Sequence, residues 1–215
     1  MIPGPDSIFA CPECEHRIAK GSLRSGNTLH SVLYSDGKLV APMMPDFPDL
    51  IKCSRCGAFF WLHNLNKIET IELYMYDIIN KEKPEREKPE RAEFPSLEEY
   101  IEALNKGEFH TEDEELILRR NIWWAFNDRV RDEIEMFSTS GQREIWETNL
   151  RKFQSMLNLE EPEESLMIAE THRNLEEFSK CMELLNILTN SKIKWAVKTL
   201  KEECRKENPL VIKLR

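Results

Sequence analysis

Two Cys-x-x-Cys pairs constrain this chain more than any other feature of its sequence. The first is Cys11-Pro12-Glu13-Cys14 and the second is Cys53-Ser54-Arg55-Cys56. A turn of this kind directs two sulfur atoms to one point, and two facing turns complete a tetrahedral shell of four thiolates. Gly57, directly after the second pair, lets the chain leave its turn at positive φ. The sequence therefore predicts one metal ion per chain, with zinc as the first choice and iron as the second. The predicted ligands are Cys11, Cys14, Cys53 and Cys56.

The first third of the chain resembles a zinc ribbon, in which two such knuckles hold a small β-sheet. The resemblance rests on Cys11-Pro12-x-Cys14 and on Cys53-x-x-Cys56-Gly57 followed by Phe59-Phe60-Trp61. Compact ribbons have a shorter segment between their knuckles, so we expect an elaborated hairpin to be inserted there. Rubredoxins hold iron with similar knuckles, which implies electron transfer as an alternative role. In a ribbon, zinc replaces a hydrophobic core that is too small to stand alone.

Charge narrows the classes of partner. The 215-residue chain has a formal net charge of −9 at pH 7, although residues 1–66 contain equal numbers of cations and anions. The excess negative charge therefore lies beyond residue 66. A neutral ribbon lacks the basic field that collects a phosphate backbone, so nucleic acid is a weaker alternative than a protein partner. The same distribution argues against binding to an anionic membrane surface.

The first residues bear on the cellular compartment. The segment from Met1 to Asp6 lacks the basic and apolar regions of a secretory signal, and we see no apolar run long enough to span a bilayer. We therefore expect a cytoplasmic protein, whose cysteines are thiols or metal ligands.

The sequence around the second knuckle predicts further strands. Thr28 to Ala41 predicts a β-hairpin around a type I′ turn at Asp36-Gly37. Ala58 to Leu62 predicts the strand that closes the ribbon sheet. Ile68 to Ile79 fits both a strand and a helix, and we prefer the strand. The segment from Lys81 to Glu93 is nearly all Lys, Arg, Glu and Pro, so it predicts an exposed linker.

From Pro95 onward the sequence predicts six helices. Ser96 to Glu99 is a capping box, Gly107 ends the first helix, and Thr111 begins the second. One stripe of the second helix is predicted to face the interior. Its members are Leu116, Arg120, Trp123, Asn127, Val130, Ile134 and Phe137.

A second resemblance lies near the C-terminal end. The pattern Ala169-x-x-x-Arg173-x-x-x-x-Phe178-x-x-Cys181-x-x-Leu184-Leu185 is similar to the junction between the two helices of a tetratricopeptide repeat. It departs from that family at Glu176, where a glycine is usual. The resemblance implies an antiparallel helical hairpin with a concave face that accepts peptides or helices.

Together these patterns predict an α+β protein: a zinc ribbon at residues 1–80, a charged linker at 81–95 and a tetratricopeptide-like helical domain at 96–215. The combination resembles bacterial proteins of this plan, a resemblance that implies no reaction. We predict a non-enzymatic protein, because no nucleophile is paired with a base and a shell of four cysteines is closed to substrate.

The helical part also contains a dense cluster of cationic and aromatic side chains. Arginine and tryptophan are favoured in interface hot spots, so we predict a protein-binding surface there. Its first candidates are Arg120, Trp124 and Asn127. The alternative is an interior helix in which the same side chains contact neighbouring helices. The sequence leaves both interpretations open.

Overall fold

The computed structural model describes residues 1–72 and 88–214. Over these residues the chain forms short strands and six α-helices, which confirms the α+β class. The strands are β1 (Ile2–Pro3), β2 (Asp6–Ala10), β3 (Arg17–Lys20), β4 (Leu23–Ser25), β5 (Val32–Leu33), β6 (Leu39–Val40), β7 (Leu50–Lys52), β8 (Phe59–Trp61), β9 (Glu69–Ile71) and β10 (Glu90–Arg91). The helices are α1 (Leu97–Lys106), α2 (Glu112–Arg131), α3 (Ser140–Met156), α4 (Pro162–Asn174), α5 (Phe178–Ile187) and α6 (Lys194–Arg205).

The chain divides into two compact units that are not contiguous in sequence. The first, which we call the ribbon unit, comprises Met1–Ser31 and Ala41–Glu108, and the second, the helical unit, comprises Val32–Val40 and Phe109–Arg215. The predicted ranges of the ribbon and of the helical domain place two elements in the other unit. The β5–β6 hairpin lies with the helices, and α1 lies with the ribbon.

Paired strands build the ribbon unit. A four-stranded sheet has the order β10-β3-β2-β9, in which β10 runs parallel to β3 and the other neighbours are antiparallel. The predicted strand at Ala58 to Leu62 is β8, which pairs with β7, and all three of its residues are buried. The core is small, and two of the four cysteines lie inside it. Its buried members are Phe9, Cys11, Ile18, Ile51, Cys53, Phe60 and Leu62.

Helix α1 completes the ribbon unit. Ser96 accepts a hydrogen bond from the Glu99 amide, the Glu99 carboxylate accepts one from the Ser96 amide, and Gly107 ends the helix at φ 71°, as predicted. The helix contacts the β7–β8 pair through polar groups. Lys52 Nζ donates to Glu102 at 2.8 Å. Just beyond the end of the helix, the Glu108 carbonyl accepts a hydrogen bond from Trp61 Nε1 at 2.8 Å.

The hairpin between the knuckles is confirmed, but its predicted turn type is wrong. The Tyr34 amide donates to the Lys38 carbonyl at 2.9 Å, which leaves a three-residue loop. Within that loop only Gly37 takes a positive φ, of 78°, whereas a type I′ turn requires two such residues. A three-residue loop that ends in a left-handed glycine is another common hairpin connection. Its central residue, Asp36, is fully buried and accepts a hydrogen bond from Asn127 of helix α2.

The C-terminal segment pairs with this hairpin inside the helical unit. The Leu214 amide donates to the Leu33 carbonyl at 2.8 Å, and the Ser35 amide donates to the Ile212 carbonyl at 2.9 Å. Arg173, which is completely buried, binds Glu170 and donates to the Leu210 carbonyl at 2.8 Å. Hairpin, helix α4 and C-terminal segment are thus joined by one polar network.

Helix α2 is shorter than its predicted stripe. It ends at Arg131, so Ile134 and Phe137 lie beyond it, and Glu133 leaves the helical conformation at φ 60°. The buried face is also turned relative to the prediction. Its members are Glu114, Leu118, Ile122, Trp123, Phe126 and Asn127.

Helices α4 and α5 pack against each other across a three-residue connection. Glu176 lies in that connection at φ 61°, a left-handed conformation that favours glycine. Glu176 therefore holds a backbone conformation that is strained for a residue with a Cβ.

Two sequence predictions fall partly outside the described residues. Of the predicted strand at Ile68 to Ile79, Glu69–Ile71 forms β9, and residues 73–79 are not described. Of the predicted linker, residues 81–87 are not described, whereas Glu90–Arg91 forms β10. Among the residues that are described, no helix combines the length and apolar character that crossing a membrane requires.

Candidate metal centre

The two knuckles have the same backbone geometry. In the first, the Cys11 amide donates to the His16 carbonyl at 2.8 Å, and the Glu15 amide donates to the Cys11 carbonyl at 2.9 Å. In the second, the equivalent bonds join Cys53 to Ala58 and Gly57 to Cys53, each at 2.8 Å. The residue after each second cysteine takes a positive φ, at 58° for Glu15 and 77° for Gly57. Two separate stretches of sequence thus fold into one local structure.

The four knuckle sulfur atoms converge on one point. All four lie within 4.8 Å of one another. Across the knuckles, Cys11 Sγ is 3.6 Å from Cys56 Sγ, and Cys14 Sγ is 3.6 Å from Cys53 Sγ. Zinc with sulfur ligands at about 2.3 Å requires about 3.8 Å between sulfurs of a regular tetrahedron. The donor set and its spacing therefore fit a tetrahedral metal ion, and they are much too open for disulfide bonds.

The protein environment shifts the pKa values of Cys11 and Cys53 in opposite directions. Burial raises the pKa of Cys11 to about 12. Burial also opposes ionisation of Cys53, but hydrogen bonds from the amides of Cys56 and Arg55 outweigh it and lower that pKa to about 7. Of these two thiols Cys53 is the more readily ionised, and a bound cation would favour the thiolate form of its ligands.

A carboxylate from a distant strand lies beside both knuckles. Glu90, on β10, is 2.9 Å from His16 Nε2, and it also accepts a hydrogen bond from Ser54 Oγ. His16 follows the first cysteine pair, and Ser54 lies inside the second. The sequence does not predict this role of Glu90, because the position of Glu90 depends on the parallel pairing of β10 with β3. His16 is engaged by this carboxylate, and only the four cysteines form the metal cluster among the described residues.

The predicted partner-binding residues meet a segment of their own chain. Trp124 Nε1 donates to the Asp36 carbonyl at 3.0 Å, and Asn127 Nδ2 donates to the Asp36 carboxylate at 2.7 Å. The Arg120 guanidinium lies 4.7 Å from the centre of the Trp124 ring. Asn127 is fully buried, whereas Arg120 and Trp124 are partly buried.

Asp36 and Arg131 were missed as partners of this cluster. The Arg131 guanidinium forms an ion pair with the Asp36 carboxylate and lies 4.4 Å from the centre of the Tyr34 ring. An Asp-Gly pair in a hairpin normally indicates a solvated turn, so the sequence contains no signal that this aspartate is buried.

No protein-family model, no curated protein and no solved structure matches this chain.

Proposed function

We propose that this chain is a structural-zinc protein that acts by binding another protein and that catalyses no reaction. The four knuckle sulfurs, which lie within 4.8 Å of one another, support the structural-zinc part of this proposal. Four protein ligands fill the shell of tetrahedral zinc and leave no position for water or substrate, which is the arrangement of structural zinc sites. The small core around Cys11 and Cys53 also has few apolar groups, so metal binding would contribute much of its folding free energy.

Metal analysis of the purified protein tests the zinc assignment. We expect one zinc per chain. Cys53→Ser should abolish zinc binding, because the three remaining cysteines bind zinc far more weakly than four do. Arg55→Ala is the matched control, since Arg55 is exposed in the same turn and offers no ligand. Helical circular dichroism of Cys53→Ser should stay mostly intact, because helices α2 to α6 pack in the other unit. Full metal occupancy in Cys53→Ser would refute the assignment.

An iron-based electron carrier is the second candidate, and one observation favours it. Cys56 is exposed, so the cluster lies close to the protein surface, where an electron could enter or leave. Iron in a shell of four thiolates absorbs visible light, whereas zinc does not. A coloured protein with one iron per chain and a reversible one-electron potential would replace the zinc proposal by this one.

For the partner we propose a protein that binds the helical unit. The support is the series of helices α2 to α6, each packed on the next, and the partly exposed Arg120 and Trp124 on the first of them. Arginine and tryptophan contribute disproportionately to protein interfaces. Asn127 is no longer a candidate for direct contact, because it is buried against Asp36.

Substitution of Arg120 tests this surface more cleanly than substitution of Trp124, whose indole also bonds the Asp36 carbonyl. With a co-purifying partner in hand, Arg120→Ala should weaken binding by at least about 1 kcal/mol. Trp195→Ala is the control, because Trp195 is 38 % exposed on another helix of the same unit. Equal binding by Arg120→Ala and wild type, with both folded, would exclude this surface.

A further inference from the structure

Two cysteines outside the metal centre lie in direct contact. Cys181 on α5 and Cys204 on α6 have their sulfur atoms 2.9 Å apart, closer than the 3.6 Å that separates Cys11 Sγ from Cys56 Sγ in the metal centre. Both belong to the apolar core of the helical unit. A disulfide bond of about 2.05 Å would require the two sulfurs to approach by less than 1 Å.

The two thiols differ in character. The Cys181 thiol lowers the pKa of Cys204, burial opposes this effect, and the Arg173 guanidinium adds to the lowering. By contrast, the pKa of Cys181 is raised, first by Cys204 and then by burial. Cys204 is also the penultimate residue of α6, at a helix end, where local opening is easiest. Cys204 is therefore the thiol that ionises first and that a small molecule reaches first.

We propose that Cys181 and Cys204 form a redox-active dithiol that a small hydroperoxide oxidises to a disulfide, linking α5 to α6. A hydroperoxide suits this site better than a bulky disulfide such as oxidised glutathione, because Cys181 is completely buried and Cys204 is only 4 % exposed.

The reaction takes place in two steps. The Cys204 thiolate attacks the terminal oxygen of the hydroperoxide, which carries the hydrogen, and an S–O bond forms as the O–O bond breaks. The alkoxide takes up the proton that Cys204 lost and leaves as the alcohol, or as water when the oxidant is hydrogen peroxide. Cys204 is then a sulfenic acid. Cys181 sulfur attacks Cys204 sulfur, the S–O bond breaks, and hydroxide leaves with the Cys181 proton as water. Two thiols and one hydroperoxide thus give one disulfide, one alcohol and one water, and the two electrons come from the thiols.

Peroxide treatment of the metal-loaded, full-length protein tests this proposal. We expect hydrogen peroxide to lower the intact mass by about 2 Da, the loss of two hydrogens. Tryptic mapping without reduction should then yield a cross-linked peptide pair containing Cys181 and Cys204. Dithiothreitol should restore both thiols. The oxidised protein should also melt at a higher temperature than the reduced one, because the bond closes a loop in the unfolded chain.

Single substitutions separate the two roles. Cys181→Ala should leave a sulfenic acid on Cys204 that dimedone traps, whereas the wild type should give little adduct because Cys181 resolves it. Cys204→Ala should leave Cys181 unmodified. The proposal is overturned if wild-type Cys204 proceeds to sulfinic acid without cross-linking, or if both thiols stay reduced after the knuckle cysteines have been oxidised.

Discussion

At the scale of single residues, the two knuckles differ at one position that matters for stability. At both knuckles the chain leaves the turn in the left-handed conformation. The residue in that conformation is Glu15 at the first knuckle and Gly57 at the second. A residue with a Cβ is strained there by about 1 to 2 kcal/mol, whereas glycine is not. The first knuckle therefore stores strain that the second avoids.

Glu15→Gly should relieve this strain. We expect the ribbon unit to gain about 0.5 to 1 kcal/mol, since greater freedom of the unfolded chain offsets part of the gain. Slower loss of zinc to a chelator and a higher denaturation midpoint would report it. Glu15→Ala is the control, because it also removes the carboxylate but keeps the Cβ.

Gly57→Ala should destabilise the ribbon unit. Its cost is purely conformational, because a Cβ at residue 57 has nothing within 4 Å. Equal behaviour of Glu15→Gly and Glu15→Ala would show that this strain is negligible.

Another single residue, Glu177, should make the helical unit sensitive to acid. Burial raises its pKa, but hydrogen bonds and ion pairs with His172, Arg151 and Lys180 outweigh burial and lower it to about 2. A carboxyl whose pKa is lowered on folding stabilises the fold above its unfolded pKa. That contribution is lost as the pH falls from about 4.5 towards 2.

Glu177→Gln should therefore destabilise the protein by about 1 to 3 kcal/mol at pH 7. The difference from wild type should shrink as the pH falls from about 4.5 towards 2, because Glu177 of the unfolded chain takes up its proton over that range while the folded carboxylate stays ionised until about pH 2. Urea denaturation followed by helical circular dichroism measures both effects. Glu183→Gln, on the neighbouring helix, is the control. A difference that is independent of pH would mean that packing, rather than charge, makes Glu177 important.

At the scale of elements, local signals in the sequence decided most of what could be predicted. The capping box at Ser96, the cap at Thr111 and the stop at Gly107 act within one turn of backbone, and each appears as predicted. The four cysteines could be assigned because each pair positions its own sulfurs. Contacts between distant segments could not be predicted. Neither the pairing of β10 with β3 nor the burial of Asp36 leaves a periodic pattern in the sequence.

The β5–β6 hairpin illustrates this limit. Its sequence predicts two strands joined by a turn, and the structure contains both strands and a connecting loop. The sequence does not predict that the Asp36 carboxylate in this loop is bound by Asn127 of helix α2. Asp36 is fully buried with Arg131, whose side chain is only 6 % exposed. This burial is a tertiary contact with helix α2, and no local signal in the hairpin sequence predicts it.

Asp36→Ala should be among the most destabilising substitutions in the helical unit. It removes one of the two carboxylates that pair with the buried Arg131 guanidinium, and Asp128 remains as the other. Asn127 Nδ2 also loses its acceptor. Loss of the last partner of a buried charge costs about 3 to 5 kcal/mol, so we expect a loss of about 2 to 3 kcal/mol here. Thermal denaturation followed by helical circular dichroism measures the loss. Asp46→Ala, which removes the same charge at an exposed position, should have little effect. If the two variants melt together, the buried pair does not stabilise the unit.

At the scale of the whole molecule, the chain passes between its two units three times. It leaves the ribbon unit after residue 31, returns after residue 40, and leaves again after residue 108. The first segment that belongs to the helical unit is Val32–Val40, which contains only the β5–β6 hairpin and lies between the two knuckles in sequence. The helical unit is therefore incomplete without nine residues that a conventional domain boundary would assign to the ribbon.

A fragment of residues 109–215 should consequently be poorly folded. Without residues 32–40 it lacks the strand that pairs with its C-terminal segment, and Arg131 and Asn127 lose the Asp36 carboxylate. We expect a broad, low-temperature melting transition for this fragment. A synthetic peptide of residues 31–41 should bind it and restore a cooperative transition, since the missing contacts form between the two pieces. A peptide carrying Asp36→Ala is the matched control and should bind much more weakly. A fragment that melts as sharply as the full chain, with or without peptide, would show that the hairpin is only an attachment to a self-sufficient helical domain.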